Sequence, residues 1–209
     1  MDNAPGGPSA AFWQERFEAR NTPWDRGEPN PALAPLLASG VVPAGARVLV
    51  PGCGAGHEVE LLAAAGYRPI AVDYAPAAVE LTRARLAQAG LQAEVIEADL
   101  LAWSPALPLD AVWDQACMAA LHPDLWVAYS QRLATWLSPG GTLMLMAVQV
   151  ERESRREGRI EGPPYHCDVN AMRALFPAPR WHWPRPPYAR HGRPGGLAEL
   201  ELVLKRAGE

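Results

Sequence analysis

The sequence predicts an α/β fold, with seven strands in a mostly parallel sheet, helices on both faces, and an antiparallel hairpin at the C-terminal end. From Arg47 onward, short apolar runs alternate with amphipathic segments, which is typical of a parallel sheet covered by helices. The segment "LAELELVLKR" instead alternates every second residue, which indicates a strand with one dry and one solvated face, at or near a sheet edge. The length of 209 residues suits one domain with a substantial core.

Two short helices are predicted ahead of this alternation, over residues 9–20 and 31–39, with a proline-containing loop between them. The first helix begins at the candidate N-cap Ser9, because a serine side chain can accept a hydrogen bond from the first turn. Its apolar positions are Phe12, Trp13 and Phe17.

Strands and helices then alternate, and they are separated where proline and glycine cluster. The predicted strands are Val48–Val50, Arg68–Asp73, 93–98, 109–114 and Thr142–Val150, and the helices are Gly56–Ala65, Ala75–Ala89 and 123–137. Pro123 is a helix-start signal, and a turn over 139–141 leads into the fifth strand. Trp181 and Trp183, two residues apart, indicate a strand that pairs with the last one across the proline- and glycine-rich stretch 184–196.

Composition and charge disfavour several classes of partner. The net charge of −4 leaves neither the basic surface of a nucleic-acid-binding protein nor a polybasic membrane patch, and no apolar run is long enough to span a bilayer. The N-terminus lacks a basic segment followed by an apolar one, so no secretory signal is expected. The cysteines Cys53, Cys117 and Cys167 form no CxxC pair, so we expect packed thiols in a reducing cytoplasm and no metal site.

The turn after the first strand, "PGCGAGH", carries the clearest functional signal. Gly52, Gly54 and Gly56 permit positive φ and let a ligand approach the backbone, and ligands of parallel sheets bind at this edge. His57 stands where a dinucleotide fingerprint, G-x-G-x-x-G, needs its third glycine. The turn is therefore less suited to a bound pyrophosphate.

Acidic residues end the next two predicted strands. Asp73 can accept both ribose hydroxyls of an adenosine, while Asp99 offers a polar group and Leu100 an apolar one for an adenine ring. These side chains and the turn predict an adenosyl ligand without phosphates. The turn residues expected to bind it are Pro51, Gly52, Cys53 and Gly54.

Four segments resemble the thiopurine S-methyltransferase superfamily of class I S-adenosylmethionine-dependent methyltransferases, especially its thiol and halide methyltransferase branch. They are "FWQERFEARNTPWDRGEPNPAL" at 12–33, "VLVPGCGAGHEVELL" at 48–62, "WDQACMAALHP" at 113–123 and "EGPPYHCDVNAMRALFP" at 161–177. The N-terminal W-D-x-G-x-P-x-P and the late G-P-P-Y are the most specific motifs. The resemblance implies one Rossmann-like class I methyltransferase domain over 1–209, with an N-terminal helical lid segment over 1–45 and a core over 46–209.

The resemblance also implies cofactor contacts outside the glycine turn. The positions that match are Trp13, Phe17, Trp24, Tyr74, Asp114 and Gln115. The first three are aromatic, and aromatic faces can shield and attract a sulfonium cation. Trp13 and Phe17 also fit the inner face of a helix, so both interpretations stay open. Asp114 and Gln115 are expected at the end of the fourth strand, beside the transferring methyl group.

On the acceptor side, Tyr165 within G-P-P-Y matches the aromatic residue that lines the family's acceptor pocket. Gln115 stands where thiopurine enzymes typically carry arginine and plant thiol and halide enzymes often carry tyrosine. Glutamine brings no charge, which disfavours thiopurine-type activity. His122 and His166 are expected near the same mouth, either as catalytic groups or as ordinary packing residues.

We therefore expect transfer of a methyl group from S-adenosylmethionine to a small soft nucleophile, with S-adenosylhomocysteine as product. A thiol, thiocyanate, a halide or a chalcogen anion would fit, thiopurine-like thiols less well, and no metal is required. Expected partners are small-molecule acceptors rather than nucleic acid or membrane, and nothing demands more than a cytoplasmic monomer. The alternatives are a methyltransferase-fold protein that binds the cofactor without turnover, and a nucleotide-dependent oxidoreductase, which the missing third glycine opposes.

Overall fold

A computed structural model describes residues 7–150, 152–193 and 196–208 of the chain. The helices are α1 Ala10–Glu18, α2 Leu33–Ala38, α3 His57–Ala64, α4 Pro76–Ala89, α5 Cys117–Ala120, α6 Trp126–Trp136, α7 Glu153–Arg156 and α8 Val169–Leu175. The strands are β1 Arg47–Pro51, β2 Arg68–Asp73, β3 Glu94–Glu97, β4 Leu109–Gln115, β5 Leu137–Gln149, β6 Trp181–His182, β7 Arg190–Gly192 and β8 Ala198–Arg206. A short 3₁₀ turn, Pro123–Leu125, precedes α6. The described residues form two compact units, one over Ser9–Val112 and one that contains those from Trp113 onward.

The unit over Ser9–Val112 contains parallel strands in the order β3-β2-β1-β4. β1 and β2 are almost wholly buried, as expected for apolar runs in a parallel sheet covered on both faces. The register pairs Pro51 with Val72 and Asp73 with Glu97, so β1, β2 and β3 end at the same edge. That edge receives the glycine turn and the acidic strand ends, which confirms the layout predicted for these three strands.

Local signals explain the helices of this unit. Ser9 caps α1, and its side chain accepts a hydrogen bond from the Phe12 N–H. α4 begins at Pro76 and ends at Gly90, whose left-handed φ of 65° closes the helix. α3 begins directly after Gly56, so it follows the glycine turn without a linker.

In the unit that contains Trp113–Glu209, β8 pairs antiparallel with each of its neighbours. β5 pairs with β8 from Thr142 opposite Lys205 to Gln149 opposite Ala198. β6 pairs with β8 through Trp181 opposite Arg206, which confirms the predicted C-terminal hairpin. β7 pairs with the other end of β8 and brings the described strands to eight, one more than the seven predicted. The predicted α/β class is confirmed, while the N-terminal lid stays a prediction.

Some boundaries differ from the predictions. β5 begins at Leu137 and includes 139–141, predicted as a turn, and Gly140 accommodates the path with a φ of 79°. Glu199, predicted on the solvated face of β8, is fully buried because the Arg193 side chain pairs with it at 3.0 Å. Within the predicted stretch 184–196, residues 194–195 lie outside the described residues.

Sequence patterns did not predict α5, α7 and α8, because these helices are short and have weak periodicity. α8 did carry a usable signal. Asp168 is its N-cap, and the carboxylate accepts a hydrogen bond from the Asn170 N–H at 2.8 Å.

Candidate functional site

The glycine turn adopts backbone angles that side chains rarely allow. Gly52, Gly54 and Gly56 have φ values of 59°, 55° and 78°. A Cβ at Gly56 would lie 2.7 Å from the Thr82 hydroxyl on α4, so only glycine lets the two helices approach here. The Gly52 N–H donates to the Val72 carbonyl at 2.8 Å and fixes the turn to β2.

Asp73, the last residue of β2, bonds directly to this turn. One carboxylate oxygen accepts from the Gly54 N–H and the other from the Ala75 N–H, both at 3.0 Å. Burial raises the pKa of Asp73 above its usual value, and these backbone hydrogen bonds oppose the rise. A carboxylate has about four acceptor positions. The backbone N–H groups of Gly54, Ala75 and Tyr74 use three of them, so one is left for a ligand hydroxyl.

Cys53 and Thr82 fix the middle of the turn. The Thr82 hydroxyl donates to the Gly54 carbonyl at 2.9 Å and lies 3.5 Å from the Cys53 sulfur. Burial raises the pKa of the Cys53 thiol to about 12, with a smaller contribution from the charge of Asp73. Cys53 is therefore a packed, protonated thiol rather than a nucleophile.

Asp99 and Leu100 follow β3 instead of ending it. The N–H of Ala98, the residue before Asp99, donates to the carbonyl of Asp73 at the end of β2, at 2.9 Å. Asp99 therefore follows directly after this hydrogen bond. The Asp99 carboxylate is exposed and accepts from the Leu101 N–H, while Leu100 is buried. Tyr74, the other predicted adenosine neighbour, directly follows Asp73 and is half-buried.

Three aromatic residues of the N-terminal segment pack together beside the turn. The ring of Trp24 meets Trp13 and Phe17 edge-on, with centroid distances of 5.2 and 5.9 Å. The cluster lies on Ala75, Ala77 and Ala78 at the start of α4. An ideal Cβ at Gly54 would lie 3.7 Å from the tip of the Phe17 ring. The Phe17 ring is therefore buried and also faces the glycine turn, and its contact with the cofactor stays a prediction.

The loop after Trp24 is tied to the first turn of α3. The Asp25 carboxylate lies 2.9 Å from His57 Nε2, and the same oxygen accepts from the Gly27 N–H at 2.8 Å. A second tie joins the Asn30 N–H to the Glu58 carboxylate at 2.9 Å. Sequence reasoning gave neither hydrogen bond a role. The available signal was His57, a histidine where a dinucleotide-binding turn would carry glycine.

In the other unit, Asp114 is fully buried on β4. Its oxygens accept from the Met118 N–H at 3.1 Å and from the Tyr129 hydroxyl at 2.9 Å. Burial raises the pKa of Asp114 from 3.8 to about 6, and these hydrogen bonds oppose the rise. Both predicted methyl-side residues lie at this strand end, but Asp114 points into the protein whereas Gln115 is half-buried.

Ala116 turns the chain between β4 and α5 with a left-handed φ of 65°. The Ala119 carbonyl on α5 then accepts from the Tyr165 N–H at 2.7 Å. α5 thus connects Gln115 to the G-P-P-Y segment, so the two predicted acceptor residues belong to one local network. A Cβ at Gly162 would come within 2.4 Å of the Tyr165 ring, which explains the glycine of the motif.

The Tyr165 ring is buried against His122, edge-on, with a centroid distance of 5.3 Å. Burial raises the pKa of Tyr165, and the charge of Arg152 opposes the rise. Arg152 donates to the carbonyls of Glu161 and Pro164, at 2.6 and 3.3 Å, and so spans the segment that precedes Tyr165. Sequence reasoning missed Arg152, because no local pattern marks a guanidinium that bonds to backbone carbonyls.

Both predicted histidines use a ring nitrogen structurally. His166 Nδ1 accepts from the Val150 N–H at 3.0 Å, so this nitrogen carries no proton there. His122 Nδ1 lies 3.3 Å from the Asp124 N–H and 3.2 Å from its carboxylate. It can accept from the first or donate to the second, and we favour the first because His122 caps the turn Pro123–Leu125. In a neutral ring whose Nδ1 accepts a hydrogen bond, the proton lies on Nε2, so neither nitrogen of these rings is then available as a base.

Two surface cavities lie away from these residues. One of about 520 Å³ lies between α2 and α3, and one of about 200 Å³ between α6 and α8. In the part of the chain that is described, no group of three or more His, Cys, Asp or Glu could hold a metal ion. Nor does any described helix have the length and apolar character needed to cross a bilayer.

The sequence matches the family model described as thiopurine S-methyltransferase over residues 9–183. It is 31% identical over 171 residues to a probable thiol methyltransferase 2 of Arabidopsis thaliana, covering 81% of this chain and 70% of that one. It is 29% identical over 170 residues to a thiopurine S-methyltransferase of Legionella pneumophila, covering 74% of each chain.

The fold is similar to that of solved methyltransferases. The Burkholderia thailandensis 1,6-didemethyltoxoflavin-N1-methyltransferase, solved with its substrate and S-adenosylhomocysteine, aligns with a TM-score of 0.76 and 21% identity, over 95% of this chain and 87% of that one. This likeness supports the α/β methyltransferase fold. The family match and the two relatives carry the enzyme class predicted from the sequence. The chain belongs to the thiopurine S-methyltransferase family and is an S-adenosylmethionine-dependent methyltransferase.

Proposed function

We propose that this protein methylates a small soft nucleophile: a thiol, thiocyanate, a halide or a chalcogen anion. The observation that carries the proposal is on the acceptor side, where the uncharged, half-buried Gln115 precedes α5 and the buried Tyr165 donates its N–H to Ala119 of α5. The names of relatives support it, since a thiol methyltransferase and a thiocyanate methyltransferase of Arabidopsis thaliana are 31% and 27% identical to this chain. Thiopurine-like thiols are less favoured because Gln115 brings no charge.

The residues of the glycine turn fit the adenosyl part of S-adenosylmethionine. Gly52 and Gly54 present backbone that carries no Cβ, and the Asp73 carboxylate keeps an acceptor position for a ribose hydroxyl. We propose that Pro51, Gly52, Cys53, Gly54, Asp73, Tyr74, Asp99 and Leu100 hold this part. When bound, the cofactor supplies an electrophilic methyl group on a sulfonium centre.

The aromatic cluster provides the protein's contribution around that cation. Trp13, Phe17 and Trp24 can attract the positive charge and exclude water from it. Excluding water favours reaction between a desolvated anion and a cation, because their charges neutralise each other as they react. Beyond this, the chain's task is to hold the two partners in line, which is worth up to about 7–11 kcal/mol in favourable systems.

The protein needs to do little to activate the acceptor, because the acceptor is already partly or fully ionised. A thiol of ordinary pKa, about 8.5, is already a few per cent ionised at neutral pH, and the other proposed acceptors are anions. His122 and His166 each use Nδ1 structurally, so neither is required as a general base in this proposal. Tyr165 and Gln115 would then select and orient the acceptor.

The test is a methyl-transfer assay with methyl-labelled S-adenosylmethionine and a panel of thiols, thiocyanate, iodide, selenite and a thiopurine. Label is counted in both headspace and solvent extract, and a Tyr165→Ala variant serves as the acceptor-side control. Volatile label that falls with the variant supports the proposal. Label with the thiopurine alone would overturn the preference for small nucleophiles. No transfer to any acceptor, with S-adenosylhomocysteine still bound, would favour a binding protein without turnover.

A further inference from the structure

His57 occupies a position that the glycine turn itself does not explain. It opens α3 immediately after Gly56 and is buried, with only 10% of its side chain exposed. A helix can begin without a histidine at this point, and a dinucleotide site would carry glycine here. The role of this side chain therefore depends on the contacts that it makes.

Its partner is Asp25, thirty-two residues earlier, in the W-D-x-G motif. His57 Nε2 lies 2.9 Å from one carboxylate oxygen, and the same oxygen accepts from the Gly27 N–H at 2.8 Å. An ionised carboxylate oxygen can only accept, and it can accept from two donors. The contact therefore requires a proton on Nε2 of His57. One carboxylate thus shapes the loop locally and attaches it to α3.

A second bond, five residues along the loop, reinforces this attachment. The Asn30 N–H donates to the Glu58 carboxylate at 2.9 Å, and the Asn30 side chain accepts from the Ala32 N–H at 3.0 Å. Burial raises the pKa of Glu58, and the bond from Asn30 opposes the rise. Adjacent residues of α3 therefore hold both ends of the segment Asp25–Asn30.

The held segment begins next to the aromatic cluster. Trp24 directly precedes Asp25 and packs edge-on against Trp13 and Phe17, and the Phe17 ring lies beside the Gly54 backbone. The attachment at His57 and the glycine turn are also covalently continuous, since Gly56 joins them. Any movement of Asp25 away from His57 would therefore carry Trp24 away from the turn.

We propose that His57 is a positioning residue that, through Asp25, holds Trp24 in place beside the glycine turn and so slows release of S-adenosylmethionine and S-adenosylhomocysteine. This inference rests on the proposed cofactor site. His57 touches no cofactor itself and acts through the loop. The bond costs little to break and re-form compared with unfolding, so it suits a segment that must open at each turnover.

The experiment compares His57→Leu, which removes the donor, with His57→Gln, whose amide NH₂ can replace Nε2–H. His182→Leu, an exposed histidine on β6, is the matched control. S-adenosylhomocysteine affinity is measured by calorimetry and its dissociation rate by stopped-flow fluorescence. Thermal unfolding of the ligand-free proteins is recorded in parallel.

His57→Leu should weaken S-adenosylhomocysteine binding about tenfold, mostly through faster dissociation, while His57→Gln recovers most of the loss. The His182→Leu control should match the wild type. Equal dissociation rates for wild type and His57→Leu would overturn the inference. So would a loss of affinity that His57→Gln does not recover, since that would reflect the packing of the ring rather than its hydrogen bond.

Asp25→Asn and Asp25→Ala provide a second pair should His57→Leu not fold. Asparagine keeps an oxygen that can accept from both Gly27 and His57, whereas alanine removes it. Faster release in the alanine variant alone supports the inference, and equal release in both variants overturns it. Failure of the wild type to bind S-adenosylhomocysteine would instead overturn the proposed cofactor site, so the two failures are distinguishable.

Discussion

The two units of the chain are organised in different ways around their functional residues. In Ser9–Val112, the candidate cofactor residues follow from the sheet, because parallel strands end at one edge and the turn there bonds to Asp73. In the unit containing Trp113–Glu209, the candidate acceptor residues depend on side chains from separate segments, such as Arg152 on the carbonyls before Tyr165. Strand topology therefore positions most of the candidate cofactor residues, whereas the candidate acceptor residues depend on individual side-chain bonds.

Asp73→Ala is the sharpest test of the first site. Loss of the carboxylate removes the proposed acceptor for a ribose hydroxyl and the acceptor for the Gly54 and Ala75 N–H groups. We expect S-adenosylhomocysteine affinity to fall about 100-fold, or about 3 kcal/mol, as measured by calorimetry. Glu94→Ala, an exposed carboxylate on β3, is the control. Unchanged affinity in Asp73→Ala would contradict the site.

Asp114, in the unit that contains Trp113–Glu209, predicts a dependence of the free energy of unfolding on pH. Its pKa is about 6 in the folded protein and near 3.8 when unfolded, so the folded state retains a proton that the unfolded state has released between these values. Stability should therefore fall as pH rises from about 4 to 6, by about 2–3 kcal/mol from this group, and level off above.

The measurement is urea unfolding of wild type and Asp114→Asn across this pH range. The asparagine oxygen can accept from the Met118 N–H and its NH₂ can donate to the Tyr129 hydroxyl oxygen, and the side chain does not titrate. The stability of Asp114→Asn should therefore exceed that of the wild type by a margin that grows with pH. Asp110→Asn, on the same strand, should retain the wild-type slope. A margin that stays constant from pH 4 to 7 would show that Asp114 is not the titrating group.

Sequence reasoning succeeded where chemistry follows from periodicity and strand ends. The apolar runs, the glycines and Asp73 predicted the edge that the structure contains, and the Trp181 pairing followed from a two-residue period. It failed where a contact joins distant residues without local pattern. The bond from Asp25 to His57 belongs to this class, because it cannot be recognised before the fold brings the two segments together. The turn at Ala116 is local, but alanine gives no signal for a positive φ.

Arg152→Ala tests whether the second site depends on such a bond. Without the guanidinium, the Glu161 and Pro164 carbonyls lose their donor, and the segment before Tyr165 should become less ordered. We expect kcat/KM for the acceptor to fall about tenfold while S-adenosylhomocysteine affinity changes less than about twofold. Arg159→Ala removes an exposed arginine of the same segment and serves as the control. A parallel loss of cofactor affinity would remove the distinction between the two sites.

The smallest expected effect comes from Gln115, where only acceptor choice should change. Gln115→Ala removes a neutral donor and acceptor from a half-buried position, so we expect turnover to change about threefold with cofactor affinity unaffected. Gln115→Arg adds a positive charge at the same place, and it should raise kcat/KM for thiocyanate relative to a neutral thiol by a similar factor. The ratio of the two acceptors in one competition assay measures this effect independently of protein concentration. An unchanged ratio in both variants would place Gln115 away from the acceptor, and selection would then depend on Tyr165 and its neighbours.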